Sequence, residues 1–357
     1  MRNVSMDCES IVKRVFDGRD FSRGNNLKRQ IAFIRNVYTV YEFQEILLSS
    51  NYHPDNVYCY SVDNKTTTGI FEKIEKLSGC LPNIILNPIR YDFDSWGHQQ
   101  NRAQFKCLEM VMDRKWDHAL ILQNNDMVLK PAEHLSELSE LLNYTNGMYF
   151  ESPKEGWYIK DADWTPAESG VPLDILYKPL QIWKGFNEVI VSRTFIESIF
   201  DKLNLERIMN LFDRKELFGV DEMLFQTLYR NYLGLDGQSI SNCTNFVPNT
   251  IERWTDWIQQ GTNGTYHPDC KSKFERHWIC IMGVEYLPGF IETNFVIGNK
   301  ILDSFDVGPA ICLKEMFQQD RIKKKITRVE LQNFPQFREM EIKYNGTYEK
   351  NDFRCGE

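Results

Sequence analysis

The sequence predicts an α/β protein with a mostly parallel central sheet and helices on both faces. Three observations predict it. Between Arg29 and about Leu142 short apolar segments alternate with segments of helical period. The alternation has the spacing of strand–helix–strand units, which build parallel sheets covered on both sides. No repeat and no low-complexity linker interrupts the chain, so a single compact catalytic-type domain is expected.

The elements follow in order. Gln30 to Val37 (QIAFIRNV) is a short apolar strand, and Val40 to Ser50 (VYEFQEILLSS) has helical spacing. Asn56 to Val62 (NVYCYSV) is β-rich and ends at Asp63. Lys65 to Cys80 carries Ile70, Phe71, Ile74 and Leu77, a helical stripe, and Asn83 to Leu86 (NIIL) is the third strand. Gln99 to Arg114 places Phe105, Leu108 and Met112 on one helical face. Ala119 to Leu122 (ALIL) is the fourth strand and ends in the polar run Gln123, Asn124, Asn125, Asp126; Leu135 to Leu142 is the next helix. Residues 145–185 are rich in proline, tryptophan and tyrosine and read as loop. Glu188 to Ser192 is a strand, Arg193 to Leu211 a helix, and Asp221 to Tyr232 an amphipathic helix opened by Asp221 and Glu222.

Composition bounds the function. The chain has 357 residues, 42 basic against 50 acidic for a net charge of -8, and 42% hydrophobic residues. That is a globular composition with enough chain to bury a sizeable core, and it excludes disorder and collagen. The nearest thing to a basic face is Arg321 to Lys325 (RIKKK), read as a solvated helix end, so nucleic acid is not an expected partner. No 18-residue apolar stretch can cross a bilayer as a helix, and the first 30 residues lack the apolar core of a signal peptide. Nine dispersed cysteines without a CxxC pair, and six Asn-x-Ser/Thr sequons at Asn3, Asn64, Asn143, Asn242, Asn263 and Asn345, favour an oxidising lumen. The expectation is a lumenal protein whose membrane anchor is missing from this chain.

Parallel sheets bind ligands beyond the carboxyl ends of their strands. Asp63 and the run from Gln123 to Asp126 sit at such ends. There is no GxGxxG after the first strand, and no GxxxxGKS, HExxH or GxSxG, so dinucleotide, P-loop, zincin and ordinary hydrolase chemistry lose ground. Glu222 in Gly219-Val220-Asp221-Glu222 is either a helix cap or a general base for a hydroxyl. Asp63 is either an N-cap or a holder of a ribose or base. Asp161 and Asp163 have the spacing of a metal-binding pair. Cys270 and Cys280, separated by nine residues around Arg276 and His277, suit a local disulfide loop better than zinc, and the six histidines form no ligand-spaced set.

Several segments, in order, carry a resemblance. They are Gln30 to Val37 with its helix, Tyr58-Cys59-Tyr60-Ser61-Val62-Asp63-Asn64-Lys65, Trp96-Gly97 with Cys107-Leu108, Ile190-Val191-Ser192-Arg193, Gly219 to Leu228 (GVDEMLFQTL), Cys280-Ile281-Met282-Gly283, and Gly298-Asn299-Lys300. From about Gln30 to Leu313 the chain resembles the core-2/I-branching β-1,6-N-acetylglucosaminyltransferases, a family that includes peptide O-xylosyltransferases, and most closely its nematode members. The resemblance to SPDExLWATL at Gly219 to Leu228 is the most specific. The family's LCGxDFPIK reads here as Leu122 to Lys130, without the cysteine-glycine pair.

The resemblance implies a GT-A-like fold, a type II membrane enzyme of the Golgi lumen, and an inverting transfer from a UDP-sugar to an O-glycan or glycoprotein hydroxyl. N-acetylglucosamine is the expected sugar, with xylose or glucose as alternatives. It implies no cofactor and no metal. By position Glu222 is the catalytic base, Asp63 contacts uridine, and Arg276 and Lys300 neutralise the diphosphate. Counting back from Cys280 puts the family's arginine on His277, with Arg276 one place earlier. Trp254 or Trp257 could stack on an acceptor sugar. By the same comparison Cys8–Cys312, Cys59–Cys107 and Cys270–Cys280 are the disulfides, leaving Cys80, Cys243 and Cys355. N-glycans are expected at Asn3, Asn143, Asn242, Asn263 and Asn345. The organisation expected is a stem-like segment (1–28) tied down by a disulfide, a catalytic domain (29–330) and a C-terminal extension (331–357). The competing reading from another functional class is a glycan-binding relative that keeps the fold without turnover.

Overall fold

A computed structural model describes residues 4–21, 26–151, 158–159, 179–231, 233–238, 250–258 and 270–345. The first half alternates as the periodicity predicts: α1 (Cys8–Phe16), β1 (Ile31–Val37), α2 (Tyr41–Asn51), β2 (Val57–Val62), α3 (Thr68–Cys80), β3 (Ile84–Leu86), α4 (Gln100–Met110), β4 (His118–Leu122), β5 (Met127–Val128) and α5 (Ala132–Leu142). β6 (Tyr158–Ile159) and β7 (Leu180–Gln181) pair as a small antiparallel ribbon, and β8 (Ile190–Ser192) leads into α6 (Arg193–Lys202). The central sheet has the order β3-β2-β1-β4-β8, parallel except for β8 at its edge. Mixed α/β architecture with such a sheet is the expected class.

Period-two alternation sorts the strand residues between two cores. Ala32, Ile34, Val57, Cys59, Ala119 and Ile121 face one apolar layer, where α4 and α6 contribute Phe105, Leu108, Phe195 and Ile196. Their neighbours Phe33, Val37, Tyr58, Tyr60, Leu120 and Leu122 face the other, covered by Ile11 and Val15 of α1, Ile74 and Leu77 of α3, and Leu135 and Leu138 of α5. Both faces are therefore dry, which is why these strands are apolar throughout.

Two helices differ from the sequence expectation. Arg193 to Leu211 is two helices, α6 and α7 (Glu206–Phe212), because Leu203 turns extended and the Asn204 side chain accepts from the Glu206 N–H to start again. Asp221 and Glu222 do not open an α-helix: they lie in a 3-10 turn, Val220–Glu222, ahead of α8 (Leu224–Arg230). The second half adds β9 (Arg253–Thr255), the hairpin β10 (Glu275–Arg276) and β11 (Ile279–Cys280), α9 (Leu287–Glu292), β12 (Ile297–Asn299), α10 (Gly308–Gln318), α11 (Arg328–Leu331) and α12 (Pro335–Asn345). A second sheet, β5-β12-β9, stands beside the first.

The basic run is not a helix end. Residues 321–325 lie beyond α10 in irregular chain, where Lys323, Lys324 and Lys325 pair with Asp320, Glu330 and Glu137. The N-terminal segment is more than a stem, since α1 buries Ile11 and Val15 against the body of the protein. Near the other end Phe337 and Met340 are buried, and the Gln336 amide donates to the Met148 carbonyl. No helix among the described residues is long and apolar enough to cross a membrane.

Cys59–Cys107 ties β2 to α4, and Cys270–Cys280 closes a loop around the β10–β11 hairpin. The third expected bridge is corrected. Cys8 bonds Cys80, joining the start of α1 to the end of α3, while Cys312 on α10 keeps a free thiol. The cause is packing: the apolar face of α1 lies on α2 and α3, which brings Cys8 to 5.1 Å from Cys80 between Cα atoms, within disulfide reach. Cys243 and Cys355 lie outside the described residues. Non-reducing peptide mapping should recover a Cys8–Cys80 cross-link and an alkylated Cys312. Cys80→Ser, which opens a link spanning 72 residues, should cost about 4 kcal/mol, or about 5 °C of melting temperature. A Cys8–Cys312 peptide would overturn the pairing.

Candidate active site

The carboxyl ends of β1, β2 and β4 open into one cleft of about 840 Å³. Tyr38 follows β1, Asp63 follows β2, and Gln123 and Asn125 follow β4. This is the edge where a parallel sheet leaves room for a ligand, since the connections from β1 and β4 run off in opposite directions.

The floor is a buried polar lattice. Arg253 from β9 pairs with Glu188 at 2.7 Å and donates to the Asn299 amide oxygen at 2.7 Å. The Asn299 amide donates to Asp126 at 2.7 Å, and the other Asp126 oxygen accepts from the Gln123 N–H. Burial pushes the Glu188 carboxyl up and Arg253 pulls it down. Burial is the larger effect, so the Glu188 carboxyl is raised overall, while the Arg253 guanidinium keeps its charge. The Arg253 guanidinium also lies 4.6 Å from the centre of the Phe186 ring.

Glu222 projects from the 3-10 turn into this cleft. The turn is held from below: the Trp96 carbonyl accepts from Gly219 and Val220, and the Asn101 amide donates to the Val220 carbonyl. Glu222 caps no helix through its side chain; its Oε2 lies 3.1 Å from Lys184 Nζ. Burial lifts its pKa above the usual carboxylate range, opposed by Lys184 and then Arg253. Asp221, its neighbour, is raised by burial, by Glu222 and by Glu188, and accepts from Gln123 and Asn187. Gly97 approaches so closely that a Cβ there would lie 1.9 Å from Asp221 Oδ1, and its φ of +88° also favours glycine.

Asp63 is not the N-cap of α3, which is Thr67. Its carboxylate accepts from the Lys65 and Phe93 N–H groups, so it stands fixed at the cleft wall. Arg276 on the β10–β11 hairpin, His277, and Lys300 just after β12 line the opposite wall. Burial pushes the Lys300 ammonium down, helped by Arg253 and by Arg276. His277 is likewise lowered by burial, Lys300 and Arg276. Among the described residues neither Arg276 nor Lys300 forms an ion pair, unlike Lys65, Lys184 and Arg253. Two cations thus face the cleft without a paired carboxylate among the described residues.

The two tryptophans separate. Side chains alternate along a strand, so Arg253 points to the cleft and Trp254 points away, into Tyr286, Phe290 and Phe295. Trp254 is therefore a packing residue and not an acceptor contact. Trp257, 46% exposed, lines the cleft. Lys130 points away from it and donates to the Thr293 and Lys324 carbonyls. Asn143 is exposed at the end of α5; Asn3, Asn242, Asn263 and the Asp161–Asp163 pair lie outside the described residues, as does the side chain of Asn345.

Sequence reasoning missed Arg253, Lys184, Glu188 and Asn187. Lys184 falls in the stretch 145–185 read as loop, and Asn187 falls between that stretch and the strand from Glu188. The isolated charges in Ile251-Glu252-Arg253-Trp254 were the one available signal of a polar strand end.

Fold and cleft together place the chain among the glycosyltransferases of GT-A-like fold. The chain belongs to the core-2/I-branching enzyme family, whose model matches residues 31–290. It is similar to the β-1,3-galactosyl-O-glycosyl-glycoprotein β-1,6-N-acetylglucosaminyltransferase 3 of Rattus norvegicus, 22% identical over 345 residues that cover 90% of this chain and 75% of the rat protein. The enzyme 3 of Ovis aries is 25% identical, covering 90% and 74%. The enzyme of this name from Bovine herpesvirus 4 (strain DN-599) is 25% identical over 340 residues, with the same coverage.

Replacing Arg253 by Met leaves Glu188 buried without its cation. Chemical denaturation should show a loss of about 3–5 kcal/mol, most of it recovered in the Glu188→Leu/Arg253→Met double variant. Additive losses would show that the two side chains do not stabilise each other.

Proposed function

We propose that the protein transfers N-acetylglucosamine from UDP-N-acetylglucosamine to a hydroxyl of an O-glycan acceptor, with inversion and without a metal ion. One observation carries the reading: Glu222, free of any capping role, shares a cleft with Arg276 and Lys300, two cations that form no ion pair among the described residues. The named relatives are β-1,6-N-acetylglucosaminyltransferases, which favours a β-1,6 branch.

Asp63 at the end of β2 receives the uridine. Arg276 and Lys300 receive the diphosphate, with His277 beside them able to donate a hydrogen bond. Glu222 takes the proton of the acceptor hydroxyl; the oxygen forms a bond to the anomeric carbon from the face opposite the diphosphate. The bond from that carbon to the phosphate oxygen breaks, its electron pair leaves on UDP, and an α-linked donor becomes a β-linked product. The two cations stabilise the charge that develops on the leaving group. Trp257 offers a ring at the mouth for the apolar face of a sugar. Three long-range or loop-closing disulfides and an exposed sequon at Asn143 support residence in an oxidising lumen, as in the Golgi.

The test is UDP release from UDP-N-acetylglucosamine with a core-1 O-glycan acceptor in excess EDTA. Release should persist, and Glu222→Gln should lower it by about 10³-fold while UDP still raises the melting temperature. Lys300→Ala should weaken UDP binding about tenfold. Activity that needs added manganese would overturn the metal-free reading, and loss of UDP binding in Glu222→Gln would make Glu222 a structural residue.

A further inference from the structure

Lys184 belongs to no element that the sequence marks as functional, yet it is the nearest cation to Glu222. Its Nζ lies 3.1 Å from Glu222 Oε2, with both side chains about a quarter exposed at the cleft wall. The contact is built into the backbone. The Gly185 N–H donates to the Glu222 carbonyl at 2.7 Å, and the Lys184 carbonyl accepts from the Glu151 N–H at 2.7 Å. A Cβ at Gly185 would lie 1.9 Å from the Tyr149 carbonyl oxygen, so this strand-like crossing admits only glycine. The segment carrying Lys184 and the turn carrying Glu222 are thus stapled side by side.

We propose that Lys184 is a positioning residue for the base: its ammonium binds one oxygen of Glu222, keeps the carboxylate charged, and leaves the other oxygen free to face the acceptor hydroxyl. The proposal rests on the reading of Glu222 as the base. The need for such a cation follows from the surroundings. Glu222 sits among Asp221 and Glu188, and burial with those charges favours the protonated acid, which cannot accept a proton. Arg253 opposes this but is already bonded to Glu188 and Asn299. Lys184 is the remaining counter-charge: burial lowers its pKa, but Glu222, with Glu151 and Asp221, raises it overall, so the ammonium stays protonated through neutral pH.

The sign follows. A cation beside a carboxylate lowers its pKa; removing the cation raises it, and the base is lost as pH falls through the new value. Lys184→Met should therefore move the acid limb of the kcat/KM profile upward by about one pH unit, so that activity on that limb falls about tenfold while the alkaline plateau is largely kept. Lys184→Arg should return the limb toward its original position. The infrared difference titration of the Glu222 carboxyl, read against Glu222→Gln, should shift the same way without any acceptor present. Lys184→Gln, close in length and uncharged, is carried in parallel, with a melting temperature and UDP binding to show that the fold is intact.

An activity loss that is equal at every pH, with an unmoved carboxyl titration, would overturn the proposal and make Lys184 structural. So would unchanged kinetics in a folded Lys184→Met or Lys184→Gln protein. If Glu222→Gln itself turns over normally, the parent reading of the base fails instead, and the two failures are thereby told apart.

Discussion

The Arg253–Glu188 pair is the constraint on which the cleft depends. Glu188 precedes β8 on the five-stranded sheet, and Arg253 lies on β9 of the three-stranded one, so their 2.7 Å contact is where the two sheets are joined at the cleft floor. Asn299 extends the junction by bonding Arg253 through its oxygen and Asp126 through its nitrogen. Asp126 in turn fixes the loop after β4 that carries Gln123, and Gln123 holds Asp221. A chain of hydrogen bonds therefore runs from the second sheet, under the cleft, to the turn that presents Glu222. Buried ions are costly unless every partner is in place, which makes this lattice sensitive to the loss of any member.

What the sequence made legible is what depends on local period. β1 to β4 and their helices have a repeat of two or of 3.6, and both dry faces follow from it. The split of Arg193 to Leu211 was not legible, because its apolar spacing continues across Leu203 and Leu205 while Asn204 restarts the helix through a side-chain bond. Glu222 and Asp221 sit in a motif that suits a helix start, and only the tertiary pull of Trp96, Asn101, Gln123 and Asn187 makes it a 3-10 turn instead.

The misses at the site share one cause. Arg253, Lys184, Glu188 and Asn187 act through partners 34 or more residues away, which no window of sequence contains. Trp254 and Trp257 look alike in a list of aromatics, and the pleat of β9 turns the first away from the cleft, while the second, beyond the end of β9, lines it. Cys8 shows the same limit: its partner is fixed by how α1 lies on α3, not by spacing along the chain.

The charges of the cleft also explain how an acidic protein can present a cationic wall. The net charge of -8 is a property of the whole surface, whereas binding depends on the local arrangement. Acidic groups near the base are matched at close range: Glu188 by Arg253 and Glu222 by Lys184. That leaves Arg276 and Lys300 as a pair of like charges, with Lys300 destabilised by burial and by its cationic neighbours. Such a pair favours occupation by a diphosphate, since the anion relieves the repulsion and raises the Lys300 pKa back toward its ordinary value. The cationic wall is thus poised to bind an anion, whereas at Glu222 the Lys184 ammonium already stands against the carboxylate.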